Sequence, residues 1–154
     1  MVLIKVLALL IFSFNAIANI PSPAIRTTDK LSICTTKTDT IRNVSEKVKK
    51  AVYARQGIPA NHKGVCEGNR GCEVDHRISL EVGGSNDISN LIVKPYFGEC
   101  NMTQKDVLEN KIHKLICNDL ITVDIAQDYL FNDWETAYKL YVDKAGCDLL
   151  ILAE

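Results

Sequence analysis

The chain reads as an α+β fold: a β-hairpin followed by a helix, packed with additional flanking helices and stabilised by disulfides. Three observations predict it. The run Cys72-Glu-Val-Asp-His-Arg-Ile-Ser-Leu-Glu-Val-Gly-Gly-Ser-Asn-Asp-Ile-Ser-Asn-Leu-Ile-Val93 has ends that alternate or stay apolar as strands do. Between them, Gly83, Gly84, Ser85, Asn86 and Asp87 carry turn chemistry. Val107, Leu108, Ile112, Leu115 and Ile116 then repeat at helical spacing, and Thr103 with Asp106 can form a capping box, which predicts a helix over 103–117. Finally, all six cysteines (Cys34, Cys66, Cys72, Cys100, Cys117 and Cys147) follow a leader-like N-terminus, and an even count in an exported chain reads as disulfides.

The elements follow in order. Met1 to Lys5 make a positive start, Val6 to Phe14 an apolar run too short to span a bilayer comfortably, and Ala16-Ile17-Ala18 a small-x-small cleavage site, so residues 1–18 are expected to be a signal peptide. Cleavage after Ala18 leaves 136 residues, the single domain 19–154. Ile20 to Thr40, rich in Pro, Ser and Thr, reads as a flexible leader tied down by Cys34. Residues 44–56 are predicted helical, because Val44, Val48, Ala51 and Val52 form a stripe and Gly57 with Pro59 provides a stop. Gly57 to Gly71 reads as loop and contains His62. After the 103–117 helix, Thr122 caps a short helix through Ile125, Ala126, Tyr129 and Leu130. Asn132 or Asp133 starts another through Trp134, Ala137, Tyr138 and Tyr141, whose aromatic residues read as core. Leu149 to Leu152 is an apolar tail without an assigned place.

Charge supplies no global attraction to a polyanion. The chain has 18 basic and 19 acidic residues, and loss of Lys5 with the leader takes the net to about −2. A local field has two sources: Lys47, Lys49, Lys50 and Arg55 on the predicted 44–56 helix, and Arg77, Lys94 and Lys105 around the hairpin. A solvated helix face is the plain alternative for the lysines. Weak, salt-sensitive affinity for a polyanion follows.

Taken in order, the pieces are Ile33-Cys34, Asp75-His76, Gly83-Gly84, Asn90-Leu91, Lys105-Asp106, Leu108-Glu109-Asn110, Ile112-His113, Ile116-Cys117, Ala126-Gln127 and Asp133-Trp134. This pattern resembles the HNH endonucleases, a family built on a ββα-metal finger, most strongly over residues 72–117. More narrowly, the chain is similar to a group of small exported bacterial HNH proteins. The resemblance suggests a disulfide between Cys34 and Cys117. Cys66 and Cys72 could close a small loop, leaving Cys100 and Cys147. A structural zinc site is the rival use of cysteine, but no C-x-x-C pair exists. Two departures concern the shape of the substrate groove: Ser79 stands where the family often has proline, and Ile92-Val93 replaces Trp-Pro.

Hydrolysing a phosphodiester needs a nucleophilic water, neutralisation of charge at phosphorus and help for the departing alkoxide, which one divalent metal and one histidine can supply together. His76 is the expected general base, since an imidazole with an ordinary pKa of about 6.5 can take a proton near neutrality. By resemblance, Asn90 fixes the backbone opposite His76 and so orients the ring. Asp75, on the other side of the strand, is then a hard oxygen ligand for the metal. The resemblance also points to Asn101 as second ligand, with Asp106, Glu109 and His113 as alternatives or supports, and Arg77 or Lys105 could contact a phosphate oxygen. One carboxylate, one amide and waters favour Mg or Mn.

The sequence-level expectation is a secreted or periplasmic, metal-dependent endonuclease acting on DNA, with RNA as a further candidate substrate, with little sequence preference and no stable membrane association after leader cleavage. No motif identifies an inhibitor or immunity partner. The alternatives are a non-catalytic module that binds metal or nucleic acid, and an exported effector or structural disulfide protein.

Overall fold

A computed structural model describes residues 19–58 and 71–147. The expected signal peptide, His62, Cys66 and the 149–152 tail lie outside the described residues. Helices α1 (Lys30–Thr35), α2 (Thr38–Ile41) and α3 (Glu46–Arg55) precede strands β1 (Cys72–His76) and β2 (Leu91–Pro95). Helices α4 (Met102–Cys117), α5 (Val123–Asn132) and α6 (Trp134–Tyr141) follow. The fold is α+β: β1 and β2 form a two-stranded antiparallel sheet that sets Asp75 opposite Ile92 and His76 opposite Leu91.

The period of two along a strand divides the hairpin into two differently used faces. Cys72, Leu91 and Val93 pack with Val52 and Tyr53 of α3 in one core. The opposite face, carrying Asp75, Ile92 and Lys94, looks toward α4 and the α5–α6 junction, where Lys105, Phe131 and Trp134 meet it. A second core joins Ile33 of α1 and Ile78 and Val82 of the hairpin loop to Leu108, Ile112 and Ile116 of α4, and to Leu130, Trp134 and Ala137 of α5 and α6. Burying these apolar side chains, at about 1.5–3 kcal/mol for each large one, is what fixes α4 against the loop.

Two expectations about local structure are corrected. The segment expected as a flexible leader is folded: the Asp29 carboxylate accepts the Ser32 amide and starts α1, and Ile33 is buried. A helix of six residues has too few turns to show a period in sequence. The cap of α4 also lies earlier than Thr103. The Asn101 side chain accepts from the amides of Thr103 and Gln104, and Gln104 reaches back to the Asn101 amide, which completes a capping box two residues sooner.

Disulfides join Cys34 to Cys117, as the resemblance suggested, and Cys100 to Cys147, the pair left over if Cys66 and Cys72 close a loop. Cys72 is also in a disulfide. Such bonds persist in oxidising surroundings. Among the described residues no helix is long and apolar enough to cross a membrane.

The loop between the strands is held from several sides. Two short 3-10 turns, Leu80–Val82 and Ile88–Asn90, flank Gly83 and Gly84. Gly83 has φ +89°, and a Cβ there would lie 2.3 Å from the Thr27 carbonyl oxygen; at Gly84 it would lie 1.9 Å from that of Ile78. The N-terminal segment runs over this turn, with Ile25 bridged to Gly84 and the amides of Arg26 and Thr27 donating to the Gly83 oxygen. The buried Gln127 amide donates to the carbonyls of Thr27 and Val82, tying α5 to both.

Candidate functional site

His76 ends β1 with its side chain almost fully enclosed. Its Nε2 lies 3.1 Å from the Asn86 Oδ1. The amide of Asn86 is oriented by two further bonds: its Nδ2 donates to the Ile41 carbonyl, and its Oδ1 also accepts the Asn43 amide. An oxygen can only accept, so His76 donates from Nε2–H, and Nδ1 is the nitrogen left to take a proton. Burial lowers the imidazole below its ordinary value, while the Asn86 bond and the Asp75 charge pull the other way without reversing it.

Asn90, fully buried, works on backbone. Its Oδ1 accepts the Ile78 amide at 2.9 Å, its Nδ2 donates to the carbonyls of Ile78 and Ser85, and its own carbonyl accepts the Arg77 amide. The chain just after His76 is therefore pinned to the start of β2. The ring itself is held by Asn86, a residue whose place in sequence signalled only a turn.

Asp75 faces α4. Its Oδ2 accepts a 2.8 Å bond from Lys105 Nζ, which also donates to the His76 carbonyl and to Glu109 one turn along the helix. Lys105 is 1% exposed. Burial acts to strip its proton, but the Glu109 and Asp75 carboxylates outweigh this and hold the ammonium above its ordinary range. Burial likewise raises Glu109 above the ordinary carboxylate range, with the Lys105 charge opposing and Asp75 and Glu81 adding to the rise. Lys105 is thus an internal counter-ion, which corrects its expected role as a phosphate contact: its Nζ is already occupied by three acceptors and shielded from solvent.

Further acids gather at the same edge. Asp106 is raised by burial and then by the charge of Asp75, with Glu73 adding to it. Glu81 is raised by burial, with Asp106 adding and His113 opposing. Asp75 on β1 and Asp106 on α4 lie close enough for their charges to interact, and each is a hard oxygen donor. A divalent ion there would compete with Lys105 for Asp75.

The other expected residues are placed elsewhere. Asn101 spends its Oδ1 on the α4 cap and its Nδ2 on the Gly98 carbonyl. Glu109 is enclosed on Lys105. His113 lies against the Cys34–Cys117 disulfide, its Nε2 3.6 Å from the Cys117 sulfur and 3.4 Å from the Ile33 carbonyl oxygen. Cys34, His113 and Cys117 bring one ligand atom each within 4.8 Å of one another, a group that could hold a metal ion. Its sulfurs are joined as a disulfide, and since thiolate is the ligating form, the group becomes a ligand set on reduction.

Arg77 donates from Nε and Nη2 to the Phe131 carbonyl and lies 4.0 Å over the Phe131 ring. Of the basic residues expected on one face of α3, Lys49 pairs with Glu46, and Arg55 donates to the carbonyls of Ile88 and Leu91, bracing the entry to β2.

The residues that sequence reasoning missed are Asn86 and Glu81. Either could have been suspected only from lying in the loop that follows Asp75-His76. No family model, no curated protein and no solved structure matches the chain, so its chemistry has to be read from this arrangement of side chains.

Proposed function

We propose that the protein is a metal-dependent endonuclease of the HNH type, secreted or periplasmic, that hydrolyses phosphodiester bonds in DNA, and in RNA as a second substrate, with little sequence preference. The observation that carries this reading is His76, a buried imidazole kept neutral and fixed in one tautomer, beside a carboxylate on the opposite face of the same strand. Two neighbouring groups of opposite function, one to take a proton and one to hold a cation, are what one-metal phosphodiester hydrolysis requires.

In this reading His76 Nδ1 accepts the proton of the attacking water, and the Nε2–H bond to Asn86 stabilises the imidazolium that forms. Asn90 keeps the strand ends in register so that the ring does not swing. Asp75 and Asp106 would hold Mg or Mn, which when bound supplies positive charge at the phosphate and the leaving oxygen.

The test is relaxation and linearisation of supercoiled plasmid by the oxidised protein with magnesium, manganese or chelator, with His76→Ala in parallel. Metal-dependent cleavage that falls at least about a hundredfold in the variant, with circular dichroism unchanged, is the expected result. Full activity in the variant would remove the basis of the proposal. The Asp75–Lys105 ion pair favours one second reading: a finger that keeps this lysine in place against metal binds nucleic acid without cutting it. Retention of plasmid without turnover across several divalent ions would select that reading.

A further inference from the structure

Beyond Asp75, the same face of the hairpin continues into a pocket of about 280 Å³ between β2 and the α5–α6 junction. Arg77, Lys94, Phe131 and Trp134 are among its walls, and Asp133 and Glu135 also line it. It is small by the standard of ligand sites, large enough for a phosphoryl group and part of a sugar or base but not for an extended strand.

Two cations enter it, each set against an aromatic ring. Arg77 is fastened twice to the carbonyl of Phe131, near the C-terminus of α5, where the helix dipole favours a cation. Lys94 is different. Its Nζ lies 4.7 Å from the centre of the Trp134 ring and makes no hydrogen bond or ion pair within the described residues. The side chain is half-buried, and burial together with Lys105 and Arg77 lowers its affinity for a proton, with Glu135 acting in the opposite direction. A positioned ammonium that is partly desolvated, lies beside a guanidinium and has no carboxylate in hydrogen-bonding contact among the described residues, although Glu135 and Asp75 act on it from farther off, has three donors to offer an oxyanion.

We propose that this pocket is a phosphate subsite, in which Lys94, backed by Arg77 and held in place by the face of Trp134, takes a phosphate of the substrate strand next to the one that reacts at His76. Lys94 lies two residues beyond Ile92, the partner of Asp75, or about 7 Å along β2. That span corresponds to one or two nucleotide steps along a strand. The inference rests on the nuclease reading for the identity of the strand; the anion chemistry stands on the pocket itself. Trp134 is then more than core: it positions the lysine and reports on its occupancy.

The chain contains one tryptophan, so its fluorescence reads this pocket directly. The full oxidised protein, kept with chelator to prevent turnover, is titrated with a 5′-phosphorylated thymidine trinucleotide, with inorganic phosphate and with thymidine. The expected result is a saturable, salt-sensitive change with the trinucleotide, a weaker one with phosphate and none with thymidine. Lys94→Gln should bind the trinucleotide about tenfold more weakly, with circular dichroism unchanged, and Lys94→Arg should stay close to the parent. The proposal is overturned by a silent tryptophan, by equal affinity in Lys94→Gln, or by thymidine matching the trinucleotide. Equal affinity for phosphate and trinucleotide overturns the assignment to a strand. Plasmid cleavage separates the two readings. Binding with no cleavage under any metal sinks the nuclease and keeps the subsite; cleavage whose KM is unmoved by Lys94→Gln sinks the subsite and keeps the nuclease.

Discussion

Burying an ammonium costs several kcal/mol unless carboxylates surround it, and Lys105 has Asp75 on one side and Glu109 on the other. Removing the amine leaves both acids buried without a cation. Lys105→Met should therefore lower the free energy of unfolding by about 3–5 kcal/mol, measured by urea denaturation; a loss below about 1 kcal/mol would mean that the trio is held by something else. His76 allows a prediction about pH. Its native imidazole lies below the ordinary value of 6.5 because burial disfavours the charged form. As pH falls below 6.5, the unfolded chain takes up the proton before the native one does, so stability from this group is complete above 6.5 and is lost between there and the lower native value. The same shift keeps the base form available in the native protein, so the acid limb of kcat/KM should have its midpoint below 6.5. A midpoint above that would contradict the buried-base reading.

At the scale of elements, the hairpin loop carries a testable imperfection. Ser79 has φ −62°, and its buried hydroxyl finds no hydrogen-bond partner. Proline suits that φ and brings no hydroxyl to leave unsatisfied, so Ser79→Pro should stabilise the protein by about 1 kcal/mol, seen as a rise in Tm of a few degrees. A fall would show that the loop needs the backbone freedom that serine leaves it. The elements also show what the chain makes legible. The hairpin and α4 could be read ahead of the structure because alternation, a glycine pair and a sixteen-residue helix leave strong periodic traces. Helices α1 and α2, of six and four residues, leave none. The site divides in the same way. Asp75 and His76 stood out as a pair, whereas Asn86 and Asn101 are asparagines in turn and cap contexts, where one letter serves several uses. A lysine four residues before a glutamate looks the same in sequence whether it is solvated or, like Lys105, sealed in.

At the scale of the whole molecule, two of the disulfides define how the parts depend on one another. Cys34–Cys117 spans 83 residues and Cys100–Cys147 spans 47. On the chain-entropy account, each restricts the unfolded chain by about 4 kcal/mol. Replacing either pair with serines should lower the free energy of unfolding by a few kcal/mol, read by chemical denaturation. The Cys34–Cys117 change should also loosen α1 from α4, visible as faster amide exchange at Ile33. An unchanged exchange pattern would show that apolar packing alone keeps α1 in place.

The strap over the hairpin turn bears on how the protein can be shortened. A chain trimmed to start at Lys30 would retain α1 to α6, both strands and each of Asp75, His76, Asn86 and Asn90. It would still lack the three residues whose backbone grips Gly83 and Gly84. The loop that positions His76 and Asn86 is therefore completed by chain that contributes no chemistry of its own. A minimal version of this domain has to begin ahead of Ile25.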